Sequence, residues 1–216
     1  MKQSRILKIL LLVWLAGVIT AAFLYVPADR ALGEAGRVIL FHVPVAWVTV
    51  LAFLVSCVYS VLYLKRRQPG DDLRAASSAA LGLVFAVLAT VTGSIFARIT
   101  WGSFWNWDPR ETSIFILLLI YAAYFALRSA VEDEERKGRL SAVYAIVAFV
   151  TVPFLVFVVP RVYFSLHPDI ITPTGKLEMG ARTLQVFLAS LAGFTGLYAW
   201  MYQLTVRIGQ RRNDAG

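Results

Sequence analysis

The chain has 216 residues, of which 59% are hydrophobic and only 16% are charged. In a water-soluble domain of this length, about a quarter of all residues are charged. The composition therefore excludes a single water-soluble domain. The net charge of +8 comes from basic residues spread over several segments with no aromatic interleaving, which argues against a nucleic-acid-binding surface.

Six stretches of the chain are apolar and nearly free of charge. A bilayer-spanning helix needs about 20 mostly apolar residues, and five of the stretches reach that length outright. The fourth reaches it if the Arg128 side chain extends to the membrane interface. The sequence therefore predicts an all-α integral membrane protein with six transmembrane helices in one domain, residues 1–216. The predicted spans are 9–28, 38–64, 75–97, 112–131, 140–160 and 183–206.

The basic residues predict how the helices are oriented. With six spans, the two termini and the segments 65–74 and 128–139 share one side of the membrane, and this side holds 14 of the 21 Lys and Arg residues. Cytoplasmic loops carry such an excess of positive charge. Both termini are therefore expected to be cytoplasmic. Three connections are expected to face outward: 29–37, 98–111 and 161–182.

The second outer connection contains three of the six tryptophans, within ITWGSFWNWDPRETS. A single Trp in an outer loop is typical of membrane anchoring, but several rings presented together usually mark a binding surface. Trp101 and Trp105 are four residues apart and would share one face of a helix, with Phe104 and Trp107 close by. We predict a short interfacial helix whose rings form a platform for a flat, apolar ligand with a polar edge.

The residues after these rings begin the fourth predicted span. Asp108 fits the N-cap, Pro109 the first helical position and Glu111 the third, which is a capping-box pattern. Asn also caps helices well, so this interpretation makes Asp108→Asn a mild substitution. The cap does not explain Arg110, whose guanidinium can hold a ligand carboxylate in a bidentate pair.

The chain has two histidines, and both are expected near the outer surface. His42 lies near the start of the second span and His167 lies in the third outer connection. A lone histidine near a helix end is usually structural, whereas two that flank an aromatic platform suit the axial positions of a six-coordinate haem. Pro44 is expected to fix the start of the helix that carries His42, and Pro168 to hold His167 in extended geometry.

Zinc is the competing metal, and the sequence leaves it open. Zinc would need a third or fourth protein ligand. The only cysteine, Cys57, lies within the second span, so the further ligands would be acidic: Asp29, Glu34, Asp108, Asp169 and Glu178. A lone cysteine also excludes an internal disulfide and the C-x-x-C-H motif. The chain is therefore neither a thiol–disulfide carrier nor a c-type cytochrome.

The stretch WGSFWNWD, residues 101–108, resembles the tryptophan-rich WWD motif of haem-handling membrane proteins of cytochrome c assembly. Six spans, with one outer histidine before the motif and one after it, match the CcmC type of that superfamily. Phe104 stands where members often have another Trp. The continuation Asp-Pro-Arg-Glu is also similar to larger haem-ligating synthases, which have a second histidine pair that this chain lacks.

The resemblance implies a protein that binds haem b non-covalently and transiently at the periplasmic face of a bacterial inner membrane. His42 and His167 would be the axial ligands of the haem iron. The platform and propionate contacts would come from the motif and its continuation: Trp101, Phe104, Trp105, Trp107, Asp108 and Arg110. The implied partners are a CcmE-type periplasmic haem chaperone, CcmA/CcmB-type ABC transporter subunits and a small CcmD-type membrane subunit. Such a protein is a delivery factor for c-type cytochrome biogenesis rather than a conventional enzyme.

Two other functions are compatible with the sequence. The first is a membrane subunit of a haem or amphiphile transporter that acts with an ABC partner. Transport paths usually contain ionisable groups within the spans, and these spans are nearly free of them. The second is a b-type cytochrome subunit for quinone electron transfer. Such subunits normally ligate haem from facing helices, and the place of His167 in an outer loop argues against this function.

Overall fold

The structure is a computed structural model that describes residues 2–167 and 179–213. The regular elements in this part of the chain are helical. A 3₁₀ turn, Glu34–Val38, precedes the second helix, and a π-helical turn, Phe154–Val158, follows the fifth. The α-helices are α1 (Lys2–Leu24), α2 (Ile39–Arg66), α3 (Pro69–Trp101), α4 (Pro109–Ala130), α5 (Glu134–Pro153), α6 (Val159–Val162) and α7 (Ala181–Asn213).

Six helical segments among the described residues are long and apolar enough to cross a membrane, which confirms the predicted fold class. The fifth of them runs from Glu134 to Val162 and combines α5, the π-helical turn and α6. Many large apolar side chains point away from the bundle; Leu12, Val147 and Val150 are examples. Side chains of this kind are stable when they face lipid hydrocarbon.

The helix ends differ from the ends of the apolar stretches. The α3 helix extends from Pro69 to Trp101, beyond the apolar stretch 75–97 on both sides, because polar residues can continue a helix outside the hydrocarbon layer. The α1 helix ends at Leu24 rather than at residue 28. Pro27 accounts for this difference, since its ring disfavours helical geometry in the residue before it and removes a backbone donor.

The α2 helix lies at the centre of the bundle. It packs against α3, α5 and α7, and α1 packs on α7. Phe53 of α2 stacks on Tyr121 of α4 in the largest buried apolar cluster. His42 lies in this central helix.

The α3 and α4 helices are joined by a buried ion pair. Arg128 donates from both terminal guanidinium nitrogens to the two carboxylate oxygens of Asp72, at 2.7 and 2.8 Å. Both side chains are less than one-fifth exposed. The Arg128 side chain therefore ends in an ion pair between two helices, near the start of α3 and the end of α4.

Three described connections lie at one end of the bundle, which we call the histidine end. They are residues 25–38, 102–108 and 163–167. The opposite end holds residue 2, residue 213 and the short connections 67–68 and 131–133. The two histidines and the tryptophan-rich segment are thus brought to the same end, as the sequence predicts.

Candidate functional site

A cavity of about 330 Å³ lies between α2, α3, α4 and the α5–α6 segment near the histidine end. Its volume is at the lower limit of small-molecule sites, about 300–1,000 Å³. Most of its wall is apolar, with contributions from Val43, Ile114 and Leu155. Four of the eight predicted site residues line it: His42, Trp105, Arg110 and His167.

His42 reaches the cavity from the second turn of α2. Its Nδ1 atom lies 2.9 Å from the hydroxyl oxygen of Thr92 on α3. Gly93 follows Thr92, and a Cβ atom at that position would lie only 3.0 Å from Cε1 of His42. The glycine therefore leaves room for the close approach of the imidazole to α3, since a Cβ atom would require the ring to shift by a few tenths of an ångström.

Pro44 affects the helical turn that carries His42. Because proline has no N–H group, the carbonyl of Leu40 loses its usual donor within the helix. The hydroxyl of Ser190 on α7 donates to this carbonyl at 2.5 Å. Leu40 and Ser190 are both fully buried. Because Pro44 leaves the Leu40 carbonyl free of a helical donor, a hydrogen bond from Ser190 joins α2 to α7 at the level of His42.

The tryptophan-rich connection is not the interfacial helix that the sequence predicts. Gly102 adopts a left-handed conformation, with φ 81°, and ends α3 directly after Trp101. Residues 102–108 then form turns and extended chain up to Pro109. Glycine is the usual residue at such a helix end. Trp101 and Trp105 therefore do not share a helical face.

The four aromatic side chains take two kinds of position. The ring of Trp101 packs edge-on against that of His167, with centroids 4.8 Å apart. Trp105 lines the cavity and packs edge-on against Trp107 at 5.8 Å. Trp107 and Phe104 are 69% and 60% exposed. Trp105 therefore lies at the cavity and Trp101 lies against His167, whereas Trp107 and Phe104 face outward.

Asp108 forms the predicted capping box and a second set of contacts that the sequence does not predict. As the N-cap of α4, it accepts a hydrogen bond from the backbone N–H of Arg110 at 2.9 Å. Its carboxylate also accepts from the hydroxyl of Ser165, from the backbone N–H of Leu166 at 2.6 Å, and from Nδ1 of His167 at 3.0 Å. Asp108 thus ties the start of α4 to the His167 segment.

The surroundings of Asp108 and His167 determine the charge states of these two side chains. Burial raises the pKa of Asp108, but the backbone donors of Arg110 and Leu166, the nearby His167 and the Ser165 hydroxyl together outweigh burial and leave the pKa below its ordinary value. Burial lowers the pKa of His167 below 6.5, and the Asp108 carboxylate offsets only part of that effect. At neutral pH the pair is a carboxylate and a neutral imidazole. Nδ1–H of His167 donates to Asp108, and Nε2 keeps its lone pair.

Two polar residues of the cavity wall were not predicted as site residues. Glu111 accepts through Oε2 from the backbone N–H groups of Asn106 and Asp108, at 2.7 and 3.3 Å. Its Oε1 and the hydroxyl of Ser113 are buried and have no hydrogen-bond partner among the described residues. The spacing of Arg110, Ile114 and Leu117 could have indicated that this face of α4 points into the bundle.

Comparison with known proteins identifies the chain. The CcmC family model, described as heme exporter protein C, matches residues 2–215. The chain belongs to the heme exporter protein C family. It is 32% identical to heme exporter protein C of Bradyrhizobium diazoefficiens over 189 residues, which cover 87% of this chain and 70% of that protein. It is 28% identical to heme exporter protein C of Haemophilus influenzae over 215 residues, which cover 99% of this chain and 87% of that protein.

Among the described residues that line the cavity, His42, His167 and Glu111 carry side chains of the kinds that can ligate a metal ion. No group of three or more His, Cys, Asp or Glu side chains that could hold a metal ion occurs in residues 2–167 and 179–213. Asp29 accepts hydrogen bonds from its own loop, and Glu34 pairs with Arg37. Pro168, Asp169 and Glu178 lie outside the described residues.

Proposed function

We propose that this chain binds haem b at the periplasmic face of the bacterial inner membrane and delivers it to a periplasmic haem chaperone for cytochrome c maturation. Membership of the heme exporter protein C family supports a role in haem handling. One observation carries the proposal further. His42 and His167, the only histidines of the chain, line the same cavity, and a protein oxygen engages the Nδ1 atom of each.

The residues of the cavity fit haem. With both Nδ1 atoms engaged, the Nε2 atoms are left for a metal, and the two imidazoles would be the residues that hold haem iron, without a third protein ligand. Zinc would require further ligands. The apolar wall suits the macrocycle, and Arg110 supplies a cation in that wall that can pair with a haem propionate.

The aromatic side chains have separate roles in this proposal. Trp105 contacts the macrocycle from the cavity wall, and Trp101 supports the ring of His167. Trp107 and Phe104 add exposed apolar surface next to Trp105, where a partner can approach. Asp108 is not among the residues that line the cavity, and its two oxygens already accept from protein donors. We therefore assign Asp108 to His167, and the pairing with a haem propionate to Arg110.

The orientation in the membrane is part of the proposal. The end of the bundle opposite the histidines holds 14 of the 21 basic residues, which favours the cytoplasm for that end. The histidine end then faces the periplasm, where a chaperone of the CcmE type can take up haem. The family resemblance supports the further partners: ABC transporter subunits of the CcmA/CcmB type and a small CcmD-type subunit.

Purified protein tests the proposal directly. The full chain, carrying a tag without histidine and extracted from haem-replete cells, should contain non-covalent haem b with a low-spin spectrum. Mixed with a haem-free CcmE-type chaperone, it should transfer that haem. A colourless preparation that contains stoichiometric zinc would contradict the proposal. If the protein alone carries haem across the bilayer of proteoliposomes, the transporter alternative is the better description.

A further inference from the structure

Thr92 lies between the ring of His42 and the backbone of its own helix. Its hydroxyl oxygen is 2.9 Å from Nδ1 of His42 and 2.8 Å from the carbonyl oxygen of Leu88, one turn earlier in α3. The carbonyl oxygen of Ala89 is 3.2 Å away. The hydroxyl is thus surrounded by two carbonyl oxygens, which only accept hydrogen bonds, and one imidazole nitrogen, which can either donate or accept.

The single hydroxyl proton decides how these contacts are made. If Thr92 donated to Nδ1 of His42, its oxygen would face the carbonyl of Leu88 at 2.8 Å with no hydrogen between them, and two sets of lone pairs would repel. If Thr92 donates to Leu88 instead, its oxygen accepts from Nδ1–H of His42, and the two shortest contacts are both favourable. The second arrangement leaves the proton of His42 on Nδ1 and the lone pair on Nε2.

We infer that Thr92 is a positioning residue that holds His42 in its Nδ1-protonated tautomer, so that Nε2 is ready to ligate a metal. The use of this nitrogen for haem rests on the function proposed above. Gly93 contributes by leaving room for the ring, since a Cβ atom there would press on Cε1 of His42. Acceptors that bind the second nitrogen of a ligating histidine commonly fix its tautomer in this way.

The two histidines are held by acceptors of different charge. His167 donates to the ionised carboxylate of Asp108, and His42 donates to a neutral hydroxyl. Loss of the carboxylate therefore removes a negative charge, whereas loss of the Thr92 hydroxyl removes only the preference for one tautomer. This difference allows Thr92 to be tested without any change in the charge of the site.

The direct test is ¹⁵N NMR of the haem-free full-length protein with labelled histidine. The chain has two histidines, and a His167→Gln variant assigns their signals. We expect wild-type His42 to have a protonated Nδ1 and an unprotonated Nε2 at neutral pH. Thr92→Val keeps the branched shape without the hydroxyl and should convert His42 to a tautomer mixture or to the Nε2-protonated form. Thr92→Ser keeps the hydroxyl and should give the same spectrum as the wild type.

Thr90→Val is the matched control. Thr90 lines the same cavity, and its hydroxyl donates to the carbonyl of Ala86 one turn earlier, as Thr92 donates to Leu88. Its removal should leave the His42 signals unchanged. An Nε2-protonated His42 in the wild type would overturn the inference, even if no variant folds. An unchanged Nδ1-protonated His42 in Thr92→Val would overturn it as well.

Haem titration separates this inference from the proposed function. Loss of an outer hydrogen-bond partner typically costs about 10–100-fold in metal affinity, and Thr92→Val should weaken ferric haem binding by about tenfold or more. Thr92→Ser should bind nearly as the wild type does. If the wild type has the expected tautomer but binds no haem, the proposed function fails and the role of Thr92 in the free protein stands. If the wild type binds haem and Thr92→Val binds it equally well, the inference fails and the proposed function stands.

Discussion

The Nδ1 atom of His167 lies 3.0 Å from a carboxylate oxygen of Asp108, and the same carboxylate caps the first turn of α4. Asp108 is 4% exposed. One buried carboxylate therefore positions a candidate haem ligand and the helix that carries Arg110. The position of His167 is set by the tryptophan-rich motif and not only by its own segment.

The first prediction is that Asp108→Asn impairs haem retention. Asn can replace Asp in a helix cap, but both oxygens of Asp108 accept from N–H donors: Arg110 and His167 on one side, Leu166 on the other. The NH₂ group of Asn must face one of these donors. We expect haem affinity to fall about 10–100-fold, measured by haem titration of the purified protein.

Asp133→Asn is the matched control for this substitution. Asp133 is the N-cap of α5 at the opposite end of the bundle, where it accepts from the backbone N–H of Arg136 at 2.7 Å. Its replacement should leave haem affinity unchanged. Equal and small effects of the two substitutions would reduce Asp108 to a helix cap.

The second prediction concerns the pH dependence of His167 in the haem-free protein. Burial holds its pKa below 6.5, so the unfolded chain takes up the proton first as the pH falls. The stability that His167 contributes is complete above about pH 6.5 and is lost as the pH falls through its folded pKa. The carboxylate of Asp108 raises this pKa, so Asp108→Asn should lower it further. An NMR titration measures both values, and a higher pKa in the variant would refute the pairing.

Much of the architecture could be predicted from the sequence because hydropathy reports directly on lipid exposure. Six apolar stretches predicted six helices, and Asp108, Pro109 and Glu111 predicted the start of α4. These signals are local in the chain. The structure differs from the sequence-based expectation at the end of α1 and in residues 102–108. In both places a single residue with special backbone geometry, Pro27 or Gly102, decides the conformation.

The contacts that position the histidines could not be predicted from one sequence. Thr92 is 50 residues from His42, and Asp108 is 59 residues from His167. Such pairs depend on how the helices pack, and no local periodicity indicates them. The capping box accounts for a glutamate at position 111, so the place of Glu111 in the cavity wall is easily overlooked in the sequence.

The third prediction ranks the aromatic residues by their position. Stacking on an aromatic ring is worth about 1–3 kcal/mol, or roughly 5- to 150-fold in affinity. Trp105→Ala and Trp101→Ala should lower haem affinity within this range, because Trp105 lines the cavity and Trp101 supports His167. Trp107→Ala should have less effect on affinity and more on transfer to the chaperone. Trp200→Ala, on α7 and away from the cavity wall, is the control, and an equal loss there would make all these rings membrane anchors.

The fourth prediction is that Arg110 pairs with a haem propionate. Arg110→Ala should weaken the binding of haem but not the binding of haem dimethyl ester, which lacks the carboxylates. Arg161 also lines the cavity, and it donates to the carbonyl of Phe157. Arg161→Ala is the comparison, and because we assign the propionate to Arg110, it should weaken the two ligands equally or neither. If Arg110→Ala lowers the affinity for the ester as much as for haem, the guanidinium does not contact a propionate.

The most direct test of the account is imidazole rescue in His42→Gly. The glycine variant leaves a space of imidazole size where His42 contacts α3, while His167 remains held by Asp108. The absorption spectrum of the haem-loaded variant should lose its six-coordinate, low-spin form, and free imidazole should restore it. His167→Gly should behave in the same way. Unchanged low-spin spectra in both variants without imidazole would show that neither histidine ligates the iron, and would contradict the central claim.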